Sequence, residues 1–179
     1  MKTINASNKE YSLYWVAGKV VSTGKNMETK VHGGGGGSYG NGYTAPVRVT
    51  STTTVHDQIF LMDREGKEHA FQLQDFNVAC RDGNELSVIW AIKKGGSTGP
   101  YIVVHNHNTT QTFFNDKRLS GMFSYSVLYP LGISVLAICL HSILPLWYAI
   151  PFAAFIGWRI LAKQEVKKFK SQTDFSSFN

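Results

Sequence analysis

The chain has 179 residues, a formal net charge of +6 and only 17% charged residues, below the roughly 25% of an average soluble domain. The shortfall is uneven: residues 121–158 carry no Asp, Glu, Lys or Arg, whereas residues 1–118 hold 13 Lys or Arg against 10 Asp or Glu. This pattern excludes a disordered chain and a uniformly soluble globule, and two cysteines in unlike settings, Cys80 and Cys139, exclude a disulfide framework.

Residues 1–118 read as β structure, because apolar and β-branched residues alternate in short runs between glycine and charged turns. The stretch 11–24 predicts one or two strands around Gly18, and Val47, Val49 and Val55 alternate with threonines. The runs 58–63 and 68–74 flank a hairpin turn at Arg64 to Lys67. A second turn falls at Asp82, Gly83 and Asn84, where Asp-Gly favours positive φ. Residues 100–114 give the last strand. The expected architecture is a small β-sandwich or barrel of about seven strands. Alternation places Leu13, Trp15, Val20, Ile59, Leu61, Phe71, Leu73, Val78, Cys80, Leu86, Val88, Trp90, Ile102 and Val104 in its core.

Gly33 to Gly42 is glycine-rich but lacks the Gly-Lys-Ser/Thr ending of a phosphate-binding loop and precedes no helical pattern. It reads as a flexible connection whose Tyr39, Asn41 and Tyr43 make it an interaction loop, ordering against a partner or a second subunit. His105 and His107, two apart on a strand, project from one face. They are the candidate metal ligands, needing a third from His32, His56 or His69. Cys80 precedes Arg81 but alternates inward, and no serine lies in a nucleophile elbow or a Ser-x-x-Lys pair, so no enzyme activity and no cofactor are expected.

The charge-free run of 38 residues is about twice the length of one membrane-spanning helix. It predicts an α-helical transmembrane hairpin over 119–162, with helices at about 122–140 and 144–162 and a turn at His141 to Pro145. Trp147 and Tyr148 at the turn, and Tyr125 and Trp158 at the other end, suit the two interfaces. Lys117 and Arg118 before the run and Arg159, Lys163, Lys167, Lys168 and Lys170 after it are the expected membrane-surface anchors. They put both ends, and a basic tail over 163–179, on the cytoplasmic side. Residues 1–20 have no signal-peptide pattern. The bacterial inner membrane is the expected site, with a eukaryotic endomembrane as the alternative.

The sequence therefore predicts an interaction or scaffold protein holding a cytoplasmic β-domain at the bilayer, homo-oligomeric and engaging another membrane or cytoplasmic protein. Alternatives are a channel or transporter subunit, and a metal- or ligand-sensing protein. The run contains no intramembrane charge to mark an ion path. Nucleic acid is not an expected partner, because residues 1–118 carry little net charge and no basic helix stands out.

Overall fold

A computed structural model of the chain describes residues 2–6, 9–34, 47–139 and 149–178, and the backbone alone at 38–39 and 43–44. Nine strands are described: β1 Lys2–Ala6, β2 Lys9–Gly34, β3 Ser38–Tyr39, β4 Tyr43–Thr44, β5 Arg48–Met62, β6 Glu68–Gln74, β7 Glu85–Lys93, β8 Tyr101–Asn106 and β9 Gln111–Phe114. Helices α1 Asp116–Met122, α2 Leu128–Cys139 and α3 Ala149–Gln172 follow, then a 3₁₀ turn at Phe175–Ser177. Seven strands, all but β3 and β4, form one sheet, in the order β6-β5-β2-β7-β8-β9 with β1 paired to β2 off this path. This replaces the expected sandwich or barrel.

The chain divides into two compact units, one of residues 1–17 and 86–179, the other of residues 18–85. Strand β2 runs through the boundary.

In the first unit β1 pairs antiparallel with the start of β2, and β7, β8 and β9 pair in succession. Their apolar face, with Leu13, Ile89, Ala91, Ile102 and Val103, is covered by Leu119 and Met122 of α1, Val166 and Phe169 of α3, and Phe175 and Phe178 beyond it. Ala162, Val166 and Phe169 recur every three or four residues, so a single stripe of α3 is buried while Lys163, Lys167 and Lys168 are exposed. Of the segment 163–179, read from sequence as a basic tail, residues 163–172 thus continue α3, and Val166, Phe169, Phe175 and Phe178 supply core side chains. Close packing fixes Gly99, where any Cβ would overlap the carbonyl oxygen of Ala91.

In the second unit β5 pairs with β2 from Lys19 to Gly34 and with β6 from His56 to Met62. Val20, Ile59, Leu61, Phe71, Leu73, Phe76 and Val78 are buried. Both turns read from the sequence are present, with Gly66 at φ +81° and Gly83 at φ +83°, values open to glycine at no steric cost. Asp63 holds the first turn by accepting from the backbone N–H groups of Glu65 and Lys67. Its carboxyl is held below the usual range by the His69 ring at 2.8 Å, then by these amides.

The transmembrane hairpin and the multi-pass inner-membrane location expected from the sequence are corrected: among the described residues, no helix is long and apolar enough to cross a membrane. The first part of the charge-free run is divided, with α1 ending at Met122 and α2 starting only at Leu128. Asn115 caps α1 by accepting from the Arg118 N–H. Pro130 stands third in α2, within the first turn, where backbone N–H groups need no intrahelical partner. Helix α2 has 12 residues, about 18 Å at 1.5 Å per residue. Helix α3 is longer, but most of its length lies past Arg159 in the lysine-rich half. The expected turn at His141 to Pro145, with Trp147 and Tyr148, lies outside the described residues.

Candidate interaction ribbon and histidine pair

Strands β2 and β5 outrun the rest of their unit. The partner β6 ends at Gln74, opposite His56, yet the β2–β5 ladder continues to Gly34 opposite Arg48. Valine and threonine favour this extended backbone, and the result is a two-stranded ribbon, roughly 30 Å long at about 3.3 Å per residue. Every residue from Val21 to Gly34 and from Arg48 to Thr53 is exposed.

The two faces of the ribbon differ, because side chains alternate along each strand. On one face Met27 pairs with Val55, Thr29 with Thr53, Val31 with Ser51 and Gly33 with Val49. On the other, Asn26 pairs with His56, Glu28 with Thr54, Lys30 with Thr52 and His32 with Thr50. The first face continues the row that is buried further along β5 as Leu61, Ile59 and Asp57. At Asp57 that row is still covered, since its Oδ2 accepts from the Val78 N–H and its Oδ1 lies 3.5 Å from Lys25 Nζ. Beyond it the cover stops, leaving Met27 70%, Val31 63% and Val49 64% exposed. Thr29 Oγ1 and Thr53 Oγ1 are hydrogen-bonded at 3.1 Å across the ladder. On the polar face Glu28 lies 3.2 Å from Lys30 and 3.6 Å from His56, and Lys30 foremost holds its carboxyl below the usual range.

The glycine-rich segment bearing the expected interaction loop follows directly. Tyr39 and Tyr43 are register partners of the short β3–β4 ladder; Asn41 lies outside the described residues.

In the first unit His105 and His107 do share a face, with ring centroids 4.8 Å apart and edge to face. His105 is buried, its Nδ1 2.9 Å from Thr112 Oγ1. Burial foremost, then the neighbouring His107, lowers the pKa of His105, against the opposing pull of Asp174. Ser87 Oγ lies 2.7 Å from His107 Nε2 and donates to the backbone carbonyl of Phe178. With the serine proton given to that carbonyl, His107 Nε2–H is the donor to Ser87. The ring is therefore placed to fix the hydroxyl, and in this tautomer it does not act as a base toward it. For the metal reading the third ligand is the question: among the described residues no group of three or more His, Cys, Asp or Glu could hold a metal ion. His69 is engaged with Asp63, and His56 with Glu28. Cys80 is half-buried, and burial first, then Asp57, raises its thiol pKa, so it is a poor thiolate.

The cations expected at a membrane surface lie on α1 and α3. Lys117 and Arg118 belong to the short α1. Lys170 Nζ is 2.5 Å from Asp116 Oδ1 and 4.4 Å from the centre of the Phe114 ring, tying α3 to α1 and β9. Lys163 and Lys167 border the groove beside that pair, Arg159 lines a neighbouring one with Ser120 and Ser124, and Lys168 flanks a cleft with Glu165. Between α2 and α3, Tyr125, Tyr129, Ile133 and Trp158 border an open apolar groove of about 330 Å³, whose Trp158 Nε1–H donates to the Tyr125 carbonyl. Ser134 Oγ–H donates to the Pro130 carbonyl of its own helix.

Comparison with family models, with curated proteins and with solved structures gave no match.

The sequence reading missed the ribbon, because residues 25–32 alternate polar with weakly apolar side chains and never present a clear buried face. The signal that was available is the threonine and valine run facing it at 47–55, too regular for a loop.

Proposed function

We propose that this protein is a binding module, an interaction or scaffold protein, whose working surface is the Met27–Val31–Val49–Val55 face of the β2–β5 ribbon. One observation carries the reading: the face that is core elsewhere in the unit continues outward, uncovered, on an arm whose other face is polar. A two-stranded ribbon alone is marginally stable in water, and covering its apolar side adds burial at about 25 cal/mol per Å². The polar side supplies register and solubility. Exposed apolar side chains and a hydroxyl pair, Thr29 with Thr53, make up the face, a surface suited to binding.

The test is a photo-reactive side chain introduced at Val49 of the full chain in living cells. One discrete covalent adduct is expected. It should vanish when Val31→Lys is added and persist with Lys30→Ala on the opposite face. An adduct indifferent to Val31→Lys, or none at all, overturns the reading.

A further inference from the structure

We infer that the cleft between α2 and α3 binds a single-chain anionic amphiphile, a fatty carboxylate or an alkyl phosphate, its tail along the apolar groove and its head beside Arg159 and Lys163. The site lies within the first unit and stands independently of the ribbon.

Tail and head are read from two cavities that share Trp158. The apolar groove, about 330 Å³, falls in the size range of small-ligand sites. From Ala154 to Leu161 it follows α3 for about 10 Å at 1.5 Å per residue. Its walls are uncovered: Tyr129 is 59%, Ile133 47% and Leu161 52% exposed. Contiguous apolar surface of this kind marks ligand grooves.

Past Trp158 the lining changes character. The second cavity, about 400 Å³, is bordered by Ser120, Ser124, Arg159 and Lys163 and by no Asp or Glu. Arg159 and Lys163 stand four apart on α3, a spacing at which like charges repel. Among the described residues neither has an ion-pair partner. Asp116, beside the adjacent groove that Lys163 also borders, is taken by Lys170 at 2.5 Å. An anion seated between the two cations relieves their repulsion, and a guanidinium offers a carboxylate or phosphate two parallel N–H donors. The serine hydroxyls add donors of their own. This charge complementarity names the head as the groove names the tail.

The junction is set before a ligand arrives. Trp158 Nε1–H donates to the Tyr125 carbonyl at 2.9 Å, and Phe155 meets the indole edge-on at 6.4 Å. Walls already ordered lower the cost of binding.

The experiment titrates the purified full chain by calorimetry with dodecyl phosphate below its micelle concentration. Saturable binding is expected, about three-fold or more tighter than for decyl phosphate, because the added methylenes are buried. Arg159→Gln combined with Lys163→Gln should weaken it about ten-fold or more, and Ile133→Ser about three-fold. Lys168→Gln, outside both cavities, should leave it unchanged. All four side chains are exposed, so circular dichroism should not move. Equal binding of dodecyltrimethylammonium, or a double variant that binds like the unmutated chain, reduces the effect to detergent adsorption and overturns the site. A second arm uses vesicles of anionic phospholipid. Saturation by the monomer assigns a free ligand, whereas cosedimentation that the double variant abolishes, without any response to the monomer, assigns the same head and tail to a lipid in a bilayer. Binding in neither arm overturns the inference.

Discussion

At the scale of single residues the histidine pair makes the sharpest demand on conditions. An unfolded chain has its imidazoles near 6.5, whereas His105 in the fold lies lower because burial and then His107 disfavour its cation. Between the folded value and 6.5 the unfolded state binds more protons. The stability from keeping His105 neutral is thus complete above that window and is lost as pH falls through it. Asp63 and Asp174, held below 3.8 by hydrogen bonds, contribute above 3.8 and lose their effect only as pH drops further. The urea midpoint should fall between pH 7 and pH 5, and His105→Gln, which keeps a polar partner for Thr112, should flatten that fall. An identical pH slope in the variant would clear His105 of the effect. The shared face of these two histidines was legible from their spacing, since residues two apart on a strand point the same way. Their engagement was not, because Ser87 and the Phe178 carbonyl come from distant parts of the chain.

Elements show where pattern suffices and where it fails. Period-two alternation located buried side chains well: Ile59, Leu61, Phe71, Leu73, Leu86, Val88, Ile102 and Val104 are all core. Trp15, Cys80 and Trp90, chosen by the same rule, remain partly exposed, the tryptophans through their large rings and Cys80 because it lies outside any strand. The helices were misread for a physical reason. Lack of charge records what a segment is made of, while helix continuity depends on local breaks, here the stretch from Phe123 to Val127 and the start set by Pro130. Phe175 and Phe178 escaped notice because polar neighbours dilute them, yet Phe178 packs edge-on to Trp15 at 4.9 Å and lies beneath Lys2 at 5.4 Å. Phe178→Ala should lower unfolding stability by about 3–5 kcal/mol, as expected for a buried aromatic. Phe152→Ala, on the exposed side of α3, should stay within about 0.5 kcal/mol. Chemical denaturation of the two variants side by side checks this, and equal losses would mean that the Phe178 ring is not a core element.

On the scale of the whole molecule, the first unit is discontinuous in sequence and the second lies between its two segments. Sequence patterning gave no hint of this, because β2 crosses the boundary as one unbroken strand and Gly18 reads equally well as a break. Where the second unit begins and ends, its backbone is already joined: the Val20 N–H donates to the Asn84 carbonyl and the Gly83 N–H to the Val20 carbonyl, both at 2.8 Å. That is the pairing found at the mouth of a tight hairpin. A chain in which residues 21–82 are replaced by Asn-Gly, a two-residue turn suited to such a mouth, should therefore keep the near-ultraviolet signature of Trp15, Trp90 and Trp158 and a cooperative unfolding transition. Loss of cooperativity would show that the first unit depends on what was removed. The doorway at Val20 and Asn84 makes residues 21–82 a cassette in the evolutionary sense. Descendants of this chain can lengthen, shorten or exchange the arm by substitutions and insertions beyond that doorway, with its exposed face free to diverge while the strands that carry it stay the same.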